Sequence, residues 1–173
     1  MPEANSDSTY KPSQELSVPA MVYPYKAGVI GGAMGGLAMV VVAAIYGLTS
    51  GHGLWLPVNL IGATVVRDLQ SASLEQLSAF NAEALLVGLV LHMTISIGLG
   101  LIFAMLLPTL PGSPVLWALL IGPLLWAMVS VLILPFLNPV MALYVDHTSF
   151  FGAHVVYSLI LGWWIGRTPK VRA

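Results

Sequence analysis

The sequence predicts an all-α integral membrane protein with four transmembrane helices. Of its 173 residues, 58% are hydrophobic and only 8% are charged, and the mean hydropathy is +0.90. Because a soluble domain carries about 25% charged residues, so few charges leave lipid as the solvent for most of the chain. Four apolar segments reach the length of about 20 residues that a helix needs to cross a bilayer. These predicted spans are residues 27–48, 84–107, 115–134 and 148–166.

Composition and motifs exclude several classes of function. The net charge of −1 gives no basic surface for nucleic acid. The chain has no cysteine, which excludes disulfides, thiolate metal sites, iron–sulfur clusters and cysteine nucleophiles. It contains no Gly-x-Ser-x-Gly elbow, no zinc-binding His-Glu-x-x-His helix and no phosphate-binding loop. We therefore expect a protein that is not an enzyme.

The flanking segments predict the orientation of the chain. Residues 1–25 are rich in Ser, Pro and acidic residues, which predicts a flexible tail, and residues 169–173 form a short basic tail. The basic residues outside the spans are Lys11, Lys26, Arg167, Lys170 and Arg172 on the terminal side, against Arg67 alone in the outer loops. Because cytoplasmic segments carry the excess of Lys and Arg, we expect both tails in the cytoplasm. The membrane domain, residues 26–168, is then expected in a bacterial inner membrane.

The first span carries a face of small residues. The five glycines in its first half fall within an arc of about 140° on a helix; they are Gly28, Gly31, Gly32, Gly35 and Gly36. Spacing of small residues by four lets two helix backbones approach closely in lipid. We expect this face to pack on another helix, either within the same bundle or in a partner chain. No strand precedes the glycines, which excludes a dinucleotide-binding loop.

Two outer loops contain apolar segments that are too short to span a bilayer. "GLWLPVNLIGATVV", residues 53–66, is interrupted by Pro57 and Asn59, and we expect it to lie in the membrane interface. Ser73 and Gln76 then have the spacing of a capping box at the start of a short helix. The second outer loop repeats the pattern, since "LPVNL" is echoed by "LPFLNPV" at 134–140.

Polar residues recur at fixed spacing in the second and fourth spans. "HMTISIGLG" at 92–100 and "HVVYSLILG" at 154–162 both contain His, Ser and Gly four residues apart. The residues that share these two helix faces are Gly88, His92, Ser96 and Gly100 in one span and His154, Ser158 and Gly162 in the other. Because polar groups in a membrane normally face the bundle interior, we expect the two faces to lie at similar depth and to meet. The recurrence also indicates a tandem two-helix duplication, although abundant Leu, Pro and Gly could produce it by coincidence.

The paired histidines leave three interpretations open. In the first, they are packing residues that bond to backbone carbonyls or to the serines, and no cofactor is bound. In the second, His92 and His154 are axial ligands of a b-type haem, with Gly88 making room for the ring. In the third, they line a quinone, proton or metal path. At the outer rim we expect no metal site, because the spacing of the four candidate ligands matches no known motif; they are His52, Asp68, Asp146 and His147.

Two stretches of the sequence resemble a known group of proteins. "YPYKAGVIGGAMGGLAM" at 23–39, followed by "GLWLPVNLIGA" at 53–63, resembles small four-span bacterial membrane proteins found with haem–copper oxidase and related electron-transfer systems. The resemblance implies a non-catalytic accessory or assembly subunit of a respiratory complex, with oxidase subunits and lipid as its partners. The alternatives are a small electron-transfer subunit that binds haem b or a quinone through the histidines, and an oligomeric pore or transporter.

Overall fold

The computed structural model describes residues 19–173, and they form eight α-helices and one pair of short strands. The helices are α1 (Tyr25–Thr49), α2 (Trp55–Gly62), α3 (Leu74–Ser78), α4 (Ala82–Leu106), α5 (Pro114–Met128), α6 (Leu134–Leu137), α7 (Pro139–Tyr144) and α8 (His147–Arg167). A π-helical turn at Val129–Ile133 joins α5 to α6. The tail expected at residues 1–25 lies mostly outside the described residues.

Four of these helical segments are long and apolar enough to cross a membrane. They are α1, α4 with the turn that follows it, α5 continued through α6, and α8. Large apolar side chains on their outer surfaces are more than half exposed, as at Leu86, Leu124 and Val131. The all-α, four-span fold predicted from the sequence is therefore confirmed.

Side-chain caps explain where two of the long helices begin. At the start of α4, the side-chain oxygen of Asn81 accepts a hydrogen bond from the backbone N–H of Ala84 at 2.9 Å. At the start of α8, a carboxylate oxygen of Asp146 accepts from the N–H of Ser149 at 2.7 Å. Each cap satisfies an N–H group that has no partner within its helix.

The order of packing places α1 at the centre of the bundle. It lies between α4 and α8, and α5 packs on the opposite side of α8. Strand β1 (Met21–Val22) pairs in antiparallel register with β2 (Val171–Arg172). The described ends of the chain therefore meet at one end of the bundle, which we call the terminal end.

The opposite end of the bundle, the loop end, is built from α2, α3, α6 and α7 around two buried asparagines. The amide nitrogen of Asn59 donates to the carbonyl oxygens of Leu77 and Ala79 at 2.8 and 2.7 Å. The amide nitrogen of Asn138 donates to the carbonyl oxygen of Leu60 at 2.7 Å, and its oxygen accepts from Gln70 at 3.0 Å. The bonds of Asn59 lie within the first of the two loops, and the bonds of Asn138 join the second loop to the first.

The capping box predicted at the start of α3 is confirmed. The Ser73 hydroxyl accepts from the N–H of Gln76 at 3.3 Å, and the Gln76 side chain accepts from the N–H of Ser73 at 2.8 Å. Nearby, α2 is half embedded in the loop end, where Leu56, Asn59 and Leu60 are buried.

Candidate functional site

Three of the five glycines on the small-residue face of α1, Gly28, Gly32 and Gly36, contact α4. A carbon atom added at Gly32 would lie 2.5 Å from the carbonyl oxygen of Ser96, and one added at Gly28 would lie 2.6 Å from that of Gly100. One added at Gly36 would lie 2.8 Å from the β-carbon of Ser96. No side chain fits into such gaps, so the two helices are in direct backbone contact here.

The other two glycines of this face contact α8. A carbon atom added at Gly31 would lie 2.9 Å from a methyl carbon of Leu161, and one added at Gly35 would lie 2.7 Å from the ring of Tyr157. The glycine face of α1 is therefore divided between two helices of the same bundle. Of the two alternatives left open for this face, the structure shows packing within the same bundle.

The two polar triplets have different neighbours. Ser96 and Gly100 face α1, as described above. On α8, Gly162 packs on α5, since an added carbon would lie 2.7 Å from the α-carbon of Val115, and Ser158 fills the space beside Gly122. The expectation that the two faces meet is wrong for the serines and glycines, because α1 and α2 cover those of α4 and α5 covers those of α8. His92 and His154 are nevertheless near enough to each other for their charges to interact.

Both intramembrane histidines bond to backbone carbonyls. Nε2 of His92 lies 3.0 Å from the carbonyl oxygen of Gly36 on α1. Nδ1 of His154 lies 2.8 Å from the carbonyl oxygen of Phe150, one turn earlier in its own helix. Each imidazole therefore uses one ring nitrogen in a hydrogen bond to a backbone carbonyl, and its second ring nitrogen takes no part in that bond.

These residues do not fit a haem. The space beside Gly88 is filled by α2, because a carbon atom added there would lie 3.2 Å from the backbone nitrogen of Gly62 and from the carbonyl oxygen of Val58. The cavity that His92 lines does not include His154. The space that the haem interpretation requires beside Gly88 is therefore occupied, and the two histidines do not line one common cavity.

A cavity of about 380 Å³ lies between α1, α2, α4, α7 and α8 in the loop-end half of the bundle. Its size is within the range of small-molecule sites, about 300–1,000 Å³. Most of its wall is apolar, with residues such as Met39, Val40, Ala43, Leu60, Leu85 and Ala153. The residues with polar side-chain atoms in the lining are Tyr46, Trp55, His92, Asp146 and Ser149. Sequence reasoning did not predict this cavity, because residues from five separate helices form it.

The polar groups of the cavity differ in depth and charge. His92 is ten residues after Ala82, the first residue of α4, which places it about 15 Å along the helix axis from the loop end. Asp146 lies at the loop end itself, where it caps α8. Hydrogen bonds from the side chain and backbone of Ser149 hold the pKa of Asp146 below its ordinary value. The carboxylate is therefore ionised at neutral pH, and within the described residues 19–173 no Lys or Arg lines the cavity beside it.

Tyr157 is a residue that the sequence reasoning missed. Its ring lies against Gly35, and its hydroxyl donates to the carbonyl oxygen of Ser96 at 2.7 Å. The one available signal was its place in "HVVYSLILG", directly before Ser158. The bond joins α8 to α4 beside α1.

No group of three or more His, Asp or Glu side chains within residues 19–173 is arranged to hold a metal ion. The rim residues considered from the sequence, His52, Asp68, Asp146 and His147, do not form such a group. Comparisons with protein-family models, curated proteins and solved structures give no match to this chain.

Proposed function

We propose that this chain is a non-catalytic membrane subunit that binds a lipid-soluble small molecule in the cavity at its loop-end half. The observation that carries the proposal is a largely apolar cavity of about 380 Å³ with His92 in its wall. Binding sites for small molecules are mostly apolar, with a few polar groups that orient the ligand. A quinone is one molecule of this kind.

The physical reason lies in the packing around the cavity. Elsewhere α1 packs so closely that Gly28 and Gly32 touch the backbone of α4. An unfilled space beside such packing forfeits dispersion contacts along its whole wall. An apolar ligand restores those contacts, and this gain favours occupation from the surrounding lipid phase.

Membership of a larger complex is a separate part of the proposal. It rests on the resemblance of residues 23–39 and 53–63 to proteins found with haem–copper oxidases. We propose an accessory role in the inner membrane, with the terminal end in the cytoplasm. The distribution of basic residues supports this orientation, since Lys26, Arg167 and Lys170 lie at the terminal end and Arg67 at the loop end.

Native mass spectrometry of the purified protein in mild detergent tests the binding role. Ala43 lines the cavity, and Ala43→Phe fills part of it. Val41 lies on the same helix, is 57% exposed and is not in the lining, so Val41→Phe is the matched control. We expect a bound lipid-soluble molecule in the wild type and the control, and a several-fold lower occupancy in Ala43→Phe. Equal occupancy in all three proteins contradicts the proposal.

A further inference from the structure

We infer that the cavity selects a neutral amphiphile with a hydroxyl group, which donates a hydrogen bond to Nδ1 of His92. This inference rests on the proposed binding function and specifies its ligand class. Three observations lead to it: the hydrogen bond that His92 already makes, the charge of the cavity wall, and the depth of the imidazole.

The bond to Gly36 determines which ring nitrogen of His92 carries the proton. A backbone carbonyl oxygen only accepts hydrogen bonds, so Nε2, which lies 3.0 Å from it, is the donor. In a neutral imidazole the other nitrogen is then an acceptor. Nδ1 of His92 therefore presents a lone pair, and its partner must supply a hydrogen.

That lone pair has no partner within the described part of the chain. No hydrogen bond to Nδ1 of His92 is formed by residues 19–173, and the atom is not one of the buried side-chain atoms that lack a partner. It is therefore accessible, and His92 lines the cavity. A buried ligand gains by donating to it, since an unsatisfied polar group in apolar surroundings costs free energy.

The charge of the wall excludes anionic ligands. Among residues 19–173, Asp146 is the one Asp, Glu, Lys or Arg in the lining, and its carboxylate is ionised. A fatty acid or a phospholipid phosphate would meet a like charge at the rim and no counter-ion inside. A cationic amine would lose its hydration at the depth of His92. A neutral hydroxyl meets the requirement for a donor without either cost.

Two kinds of molecule carry such a hydroxyl on an apolar body. One is an aromatic diol, the reduced form of a quinone, and the other is an aliphatic alcohol. They share the hydrogen-bond donor that Nδ1 requires, and they differ in whether a flat ring must fit between the walls. Oxidised quinones carry only carbonyl acceptors, so the site should favour the reduced form.

Binding of matched probes to the full-length protein in detergent tests this inference. The probes are 4-nonylphenol and its methyl ether, which differ in the donor hydrogen. We expect the wild type to bind the phenol about three- to tenfold more tightly than the ether, as one net hydrogen bond implies. His92→Phe should abolish that ratio, His92→Gln should restore it through its amide oxygen, and His154→Phe should leave it unchanged because His154 lies outside the lining.

The outcomes separate this inference from the binding function. Equal affinity for the phenol and the ether in the wild type overturns the inference while leaving the binding function intact. Failure of both probes to bind, with no effect of Ala43→Phe, overturns the binding function itself. Tighter binding of decylubiquinol than of decylubiquinone supports the inference with an aromatic diol as the source. Binding of 1-dodecanol in preference to its methyl ether, without discrimination between the two quinone forms, supports it with an aliphatic alcohol.

If His92→Phe fails to fold, His92→Gln still tests whether His92 accepts a hydrogen bond from the ligand. The thermal unfolding midpoint of each variant is measured first, and His92→Gln keeps a donor for the carbonyl of Gly36 as well as an acceptor for the ligand. If His92→Gln folds but binds the phenol and the ether equally, the acceptor role assigned to His92 is wrong.

Discussion

The hydroxyl of Tyr157 on α8 donates to the carbonyl oxygen of Ser96 on α4 at 2.7 Å, with its ring against Gly35 on α1. One aromatic side chain of α8 thus contacts two other spans, α1 and α4. The absence of a side chain at Gly35 is what lets the ring lie there. Tyr157 therefore contributes both to the packing of α8 on α1 and to a hydrogen bond between α8 and α4.

Removing the Tyr157 hydroxyl tests that coupling. Tyr157→Phe keeps the ring against Gly35 and deletes the donor, so we expect the free energy of unfolding in mixed micelles to fall by about 0.6–1.7 kcal/mol, the range for interhelical bonds in membranes. Tyr25→Phe is the control, because Tyr25 is 69% exposed. A Tyr157→Phe protein as stable as this control would show that the bond contributes nothing.

A methyl group on Gly32 should separate α1 from α4. The added carbon would lie 2.5 Å from a backbone oxygen of α4, which cannot rotate away. We expect Gly32→Ala to lower the free energy of unfolding by about 1–3 kcal/mol, the usual cost of overpacking. The same change at Gly98 meets nothing within 4 Å, and there we expect a change below about 1 kcal/mol. The contact face is assigned incorrectly if the two variants are equally stable.

The cap on α8 predicts a dependence of stability on pH. Hydrogen bonds from Ser149 lower the pKa of Asp146 in the folded protein. A lowered pKa means that this contribution is complete above the ordinary pKa of aspartate and is lost as the pH falls through the lower value in the folded state. Asp146→Asn keeps a good cap without a titrating group. In unfolding measured from neutral to strongly acidic pH, we expect the wild type to lose more stability than Asp146→Asn, and parallel curves would contradict this.

Reporter fusions test the orientation. The distribution of basic residues predicts that residue 70 is outside and the C-terminus is in the cytoplasm. The pairing of β1 with β2 puts the described ends of the chain at the same end of the bundle. We expect a fusion at residue 70 and a fusion after residue 173 to report opposite sides. Two reporters on the same side would contradict four spans, and a reversed pair would contradict only the orientation.

The bounds of the spans could be predicted closely because long runs of apolar residues in the sequence determine them. Residues 148–166 were expected for the last span, and α8 runs from His147 to Arg167. The capping box at Ser73 was equally readable, because it depends on residues three positions apart. Local patterns of this kind do not require knowledge of the rest of the fold.

The helix that covers each face could not be predicted from the sequence. Periodicity correctly groups Ser158 with Gly162 on one face, but it does not say which helix covers that face, and α5 does so through Gly122. The cavity was missed for the same reason. Its wall brings together residues as distant in sequence as Met39 and Ala153, and no local pattern records such a meeting.

The pairing of Met21 with Arg172 constrains the order in which the protein is completed. These residues are separated by nearly the whole described chain, so the pair cannot form until Arg172 has been synthesised. The contact of α1 with α4 needs only the residues up to Leu106. It can therefore form during synthesis, before α5 and α8 are made. A nascent chain that stops before α8 would keep α1 beside α4 but expose Gly31 and Gly35 to lipid. The strand pair can therefore form only after all four spans have been synthesised.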